Sequence, residues 1–227
     1  MPAGKSASGR VADGARADGV KGVSAPSGAR AARKRQAILE AAHRVFLREG
    51  FGAGVDLLAA EAGVSKVTIY NHFGSKENLF TAVIGQTLDE ALGASESLIL
   101  ARLAESDDVR TDLLAACHAW VAGLAAPDVL ALRDVIAGEH RRFPALGEVW
   151  QQRGPARQHA ALARALGRLD ERGLLRIPDM ELAVLQLSGL VLSPHLVYGS
   201  YGTDMSEELA GRLVEGGVDM FLGYYGV

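Results

Sequence analysis

The chain has 227 residues, of which 48% are apolar and only 6% aromatic, a length that suits one large domain or a small domain joined to a larger one. Few of the β-branched and aromatic residues that strands favour are present, a single cysteine (Cys117) excludes an intrachain disulfide, and no run approaches the 18 apolar residues of a membrane span. The net charge of −3 conceals an asymmetry: residues 1–80 carry 12 Lys or Arg against 7 Asp or Glu, and residues 81–227 carry 12 against 20. A basic front on an acidic body is expected to meet a polyanion only at the front; the alternative reading is that the tail alone is basic, since residues 1–35 carry 8 Lys or Arg against 2 Asp.

Residues 1–32 combine Gly, Ala and Ser with scattered charge and no apolar periodicity, which reads as a disordered basic arm. Lys5 and Arg10 are not followed by an apolar h-region, so the segment does not read as a secretory signal, and a cytoplasmic protein is expected. From Arg33 the pattern turns helical, with Ile38, Ala42, Val45 and Phe46 on one face and Gly50 as a left-handed terminator. A second short helix fits residues 55–62, ended by Gly63, and a third fits 66–72 behind Ser65 as N-cap. Gly74 and Ser75 break and cap again, and a long fourth helix runs past residue 92. The remainder is helical throughout, with helices expected at 108–126, 128–138, 145–172, 179–199 and 206–223 and no strand. Pro194 is expected to kink its helix.

Residues 55–72 meet the steric demands of a helix-turn-helix: Ala59 is small where the second helix crosses, and Gly63 tolerates a positive φ. Leu58, Ala62, Val64 and Ile69 supply apolar plugs, while Lys66, Thr68, Asn71 and His72 make an exposed polar face. The second of these helices is then the candidate for a DNA major groove. Lys66 suits a guanine or a phosphate, Val67 and the Thr68 methyl suit thymine methyls, and Asn71 suits base edges. His72 reads equally as a DNA contact or a packed residue. Tyr70 offers a hydroxyl to phosphate, Lys76 and the N-terminus of the fourth helix offer further phosphate donors, and Lys34, Arg35, Val55 and Ser65 border the same face.

The segment AAEAGVSKVTIYNHFGSKENLF, after a helix ending FLREGF, resembles the N-terminal DNA-binding domain of the TetR family of transcriptional repressors. The resemblance covers roughly residues 33–80 and implies that the positions of Tyr70 and Lys76 touch phosphate. One departure stands out: where the family usually has a capping Ser or Thr before the second helix, this chain has Gly54. The stretches IAGEHRRFPALGEVW and GRLVEGGVDMFLGYYG resemble TetR proteins with an AefR-like C-terminal domain.

These readings together imply an all-α protein, with an N-terminal three-helix helix-turn-helix domain (33–80) and a C-terminal helical ligand-binding and dimerisation domain (81–227). The expected function is a ligand-responsive regulator, a repressor released from a palindromic operator in double-stranded DNA by a small, mostly apolar inducer. A DNA-binding regulator without a ligand is the alternative. The resemblance implies a homodimer through helices near 179–199 and 206–223. Cys117, His118, Trp120, His140, Trp150, Gln186 and His195 are polar or aromatic residues within apolar helices and are candidates to line a ligand cavity. Cys117 and His118 are adjacent and diverge on a helix, so they do not pair as nucleophile and base. No catalytic motif, metal-ligand spacing, cofactor signature or membrane segment is read.

Overall fold

The computed structural model describes residues 28–200, 203 and 205–227; the arm at 1–27 lies outside them. Three helices form an N-terminal head: α1 (Ala29–Glu49), α2 (Val55–Glu61) and α3 (Lys66–Phe73). Helix α1 starts at Ala29 rather than at Arg33 and buries Ile38, Leu39, Ala41, Ala42, Val45 and Phe46 on the stripe expected from spacing. Its end is set by Gly50 at φ +73°, after which Phe51 turns back to stack 6.2 Å from Phe46. Leu58 and Ala59 of α2 and Ile69 and Phe73 of α3 close this small core. Gly63, at φ +62°, makes the turn between them, a conformation that a Cβ would strain.

Helix α4 (Lys76–Ala101) is 26 residues long, ~39 Å at 1.5 Å per residue. Its first turns belong to the head, where Phe80 lies edge-on to Phe46 at 4.7 Å. Its later residues Leu88, Leu92, Ser95 and Ile99 are buried in the body. After a 3₁₀ turn at Leu103–Glu105, the body is built from α5 (Val109–Leu124), α6 (Pro127–Glu139), α7 (Pro144–Arg153), α8 (Pro155–Glu171), α9 (Met180–Val191), α10 (Ser193–Ser200) and α11 (Glu207–Tyr225). Asp108, Asp179 and Ser206 cap α5, α9 and α11 by accepting from backbone N–H groups three residues on. Among the described residues there is no strand, only an isolated bridge between Leu175 and Gly226, and no single helix long and apolar enough to cross a membrane.

Two expected helices are each divided. The segment 145–172 breaks at Gly154 (φ −105°, ψ −97°), because Pro155 has no N–H to continue the ladder and disfavours helical geometry in the residue before it. The segment 179–199 bends by 45° between α9 and α10, the effect expected of Pro194. Arg157 holds α8 to α4 by pairing with both Asp89 and Glu96, and Arg110 clamps α5 to α11 through two bonds to Asp219 at 2.7 and 3.0 Å.

Helices α4 and α5 cross in close contact. A Cβ on Gly123 would stand 1.8 Å from the Ala91 carbonyl oxygen, so only glycine allows the two backbones to meet. Gly123→Ala is expected to lower stability by about 1–3 kcal/mol or more through overpacking. Gly93→Ala, on the open side of the same α4 with nothing within 4 Å, is expected to raise it by about 0.5–1 kcal/mol. Urea midpoints that moved together in the two variants would contradict this placement.

Candidate nucleic-acid interface

Helix α3 is short and has a divided surface: Ile69 and Phe73 point into the head, while Val67 is 65% and Tyr70 41% exposed. An apolar Val67 left in solvent has no packing reason, and its neighbours on the same face are Lys66, Asn71 and half-buried Thr68. The helix starts as read: the Ser65 hydroxyl accepts from the Thr68 backbone N–H at 3.2 Å and lies 2.8 Å from the Thr68 hydroxyl. Both hydroxyls therefore first serve the cap. Lys66 Nζ donates to Asp56 Oδ2 at 3.2 Å, an exposed pairing of α3 with α2 that sequence reading missed. Asp56 could have been noticed as a first-turn acid favoured by the helix dipole.

Gly54 caps α2 in extended geometry with no side-chain bond, as its lack of a hydroxyl dictates. Val55, grouped with the DNA-facing residues, is half-buried and packs on the core as well. On α1, Lys34 and Arg35 are exposed beside α3, and the Arg35 guanidinium lies 4.4 Å over the Phe73 ring. His72 is partly buried; burial first, then the charges of Lys34 and Arg35, holds its pKa below the ordinary imidazole value. It is consequently neutral near pH 7.

Lys76 departs most from its expected role. It is only partly exposed, and its Nζ donates to the carbonyl oxygens of Phe51 at 2.9 Å and Ala53 at 3.3 Å while lying 4.5 Å over the Phe51 ring. Its charge thus closes the α1–α2 loop instead of standing free on the exposed face. The loop is held from the other side by Phe143, in the turn before α7, whose ring meets Phe51 edge-on at 4.7 Å.

The seven cavity candidates do not converge. His118 and His140 are exposed, and His140 Nδ1 is within 2.7 Å of the Ala137 carbonyl of its own helix; they are corrected to surface residues, because their helix positions face away from the core. Gln186 accepts from the Tyr225 hydroxyl at 2.6 Å in a groove of about 360 Å³ between α9 and α11, lined also by Gly189, Leu190, Met220 and Tyr224. Trp150 is half-buried on α7, and His195 is buried on α10 with its pKa lowered by burial. Cys117 and Trp120 are buried one helical turn apart on α5, and burial pushes the Cys117 thiol up to about 12, far from a reactive thiolate. Clefts of about 820 and 870 Å³ flank α1 and α4, and neither is lined by any of the seven.

Residues 38–83 match the family model of bacterial regulatory proteins of the tetR family, and residues 111–227 match that of the AefR-like transcriptional repressor C-terminal domain. A TetR-family transcriptional regulator from Mesorhizobium loti is 31% identical, covers 88% of this chain and 100% of its own, and superposes with a TM-score of 0.81. The flavonoid-responsive regulator FrrA is 27% identical over 86% of this chain and 98% of its own, with a TM-score of 0.73. The HTH-type transcriptional activator FasR of Mycolicibacterium smegmatis is 36% identical over 88 residues, a match that spans only 38% of each chain.

Lys76→Met is expected to destabilise the protein by about 1.5–3 kcal/mol, because it leaves two partly buried carbonyls without their charged donor. A urea midpoint unchanged from wild type would show that the loop does not depend on this lysine.

Proposed function

Because the chain belongs to the TetR family of transcriptional regulators, we propose that it is a cytoplasmic homodimer that binds a palindromic operator and is released from it by a small, mostly apolar molecule. The observation that carries DNA reading is the exposed face of α3, where Val67, Tyr70 and Asn71 stand in solvent beside the cations of Lys34, Arg35 and Lys66. Val67 and Thr68 offer methyl groups to thymine, Asn71 offers its amide to adenine, and Lys66 exchanges Asp56 for a phosphate or guanine. Ser65 and His72 border this contact, and the N-terminus of α2, whose cap Gly54 has no side chain, presents backbone N–H groups to the sugar-phosphate chain. Lys76 reaches phosphate only by leaving its two carbonyls.

Dimerisation is supported by the apolar stripe left in solvent on α9 and α11. Leu182 is 48%, Leu185 50%, Met220 65% and Tyr224 76% exposed, and Leu182, Leu185 and Gly189 fall on one face of α9. A twofold pairing there buries both stripes and sets two copies of α3 at a fixed spacing for a palindrome.

Ligand release is supported by the contact between Phe143 and Phe51, which ties the α6–α7 turn of the body to the loop that precedes α2. The name of FrrA, a flavonoid-responsive regulator, agrees with a sensor in the body. A ligand that binds the DNA-free form more tightly must weaken DNA binding by the same factor, typically 1–3 kcal/mol of coupling.

Two measurements test this. Binding to DNA from the gene's own upstream region, titrated in salt, is expected to show a steep dependence, with a slope of about −0.9 per phosphate neutralised. Lys66→Ala is expected to reduce that slope by about 1, while Thr68→Ala changes base preference across a panel of operator variants. Unaltered base preference in Thr68→Ala would remove it from base readout. The double substitution Leu185→Glu with Met220→Glu is expected to give a monomer in sedimentation, with helical content retained and operator binding lost; a dimer that persists would place the interface elsewhere.

A further inference from the structure

Asp56 brings a negative charge to the side of the head that offers its cations. It is the second residue of α2, its side chain is 82% exposed, and its Oδ2 accepts at 3.2 Å from the Nζ of Lys66, the first residue of α3. The other acid of α2 is placed differently. Glu61 pairs with Arg44 and Arg48 of α1, so its charge is spent holding the head together.

A carboxylate beside a duplex is repelled by the phosphates. In the free protein Lys66 masks that charge, and the α2 dipole favours an acid in the first turn. An exposed ion pair is weakly held, and once Lys66 leaves for a phosphate or a guanine the carboxylate stands bare at the DNA. A duplex offers such an acceptor only amino groups. In the major groove cytosine N4 fits it, whereas adenine N6 lies beside N7, a second acceptor that repels a carboxylate. The position fits as well. The 3.2 Å bond puts the Asp56 carboxylate at the tip of the Lys66 side chain, and Lys66 opens α3, the end of a recognition helix that approaches base edges. Val67, the next residue, is 65% exposed. Opening the pair therefore releases two readers together, a donor on α3 and an acceptor on α2.

We propose that Asp56 reads sequence: on the operator Lys66 lets go of it, and its carboxylate accepts from the N4 amino group of a cytosine at one position in each half-site. This rests on the DNA-reading face of α3 described above and adds to it a specificity-determining residue from α2.

Selection of bound duplexes from a randomised pool by the full chain, followed by sequencing, tests this. Wild type is expected to prefer cytosine at one position of each half-site by about tenfold or more, the factor of one good base contact. Asp56→Ala is expected to lose that preference and keep the others. Asp56→Asn is expected to change cytosine to adenine, whose N6 and N7 suit an amide. Because the guanine opposite that cytosine is a partner for Lys66, Lys66→Ala separates the two readers: DNA binds more weakly, and the cytosine is expected to persist. A cytosine lost in Lys66→Ala and kept in Asp56→Asn would give the position to Lys66 and overturn the proposal. One selected sequence common to wild type and both Asp56 variants would also overturn it, including the case in which both variants bind every duplex more tightly by the same factor, since the carboxylate then only repels. Asp56→Asn keeps the size and shape of an exposed side chain, and unchanged circular dichroism shows that a lost cytosine is not a lost fold. Wild type that selects no sequence at all would overturn both this proposal and base reading by α3; a selected sequence indifferent to Asp56 would overturn this proposal and leave α3 as the reader.

Discussion

Helix α4 has to belong to two cores at once, and most of the architecture follows from that constraint. Its first turns complete the aromatic cluster of the head, with the Phe80 ring against Phe46 and Phe51. Its middle is pressed against α5, where Gly123 lets the backbones come within reach of the Ala91 carbonyl. Its outer face is stitched to α8 by Arg157 through Asp89 and Glu96. A rod fixed along its length in this way cannot bend freely, because a densely packed interior offers alternative packings rather than continuous deformation. Lys76, the first residue of this same helix, holds the loop that precedes α2.

Phe143 gives that loop a second support from the body. It lies in the turn before α7 and touches Phe51, so the α1–α2 loop is positioned by α4 from one side and by the α6–α7 turn from the other. Neither contact touches the exposed face of α3. Both bear on how the head is joined to the body.

The head was readable from sequence because each of its devices is local. Gly50, Gly63, Ser65, Gly74 and Ser75 act on the residues next to them, and all five stand where spacing placed them. The body was less readable because its features depend on residues far apart in the chain. The break within 145–172 is an exception, because its signal is local: Gly154–Pro155 sits in the mostly polar run 151–159. His118 and His140 stand at the surface for another reason: composition marks a histidine in an apolar helix but not which way it faces. His118 faces solvent while its neighbour Cys117 is buried, and only packing tells the two apart.

The two lysines at the ends of the α3 region show why residue type alone does not assign a phosphate contact. Lys66 is paired with Asp56, whose side chain is 82% exposed, and an exposed pair of this kind contributes about 0–1 kcal/mol. A phosphate can displace that carboxylate at almost no loss, and the strong field of the DNA backbone favours the exchange. Lys76 has two carbonyl oxygens and an aromatic face around a partly buried ammonium, and charged hydrogen bonds of that kind are worth about 1.5–3 kcal/mol each. Moving it away would strip the α1–α2 loop of both of these hydrogen bonds. Energetically, Lys66 is the more easily released of the two lysines, while Lys76 stays committed to the loop that precedes α2.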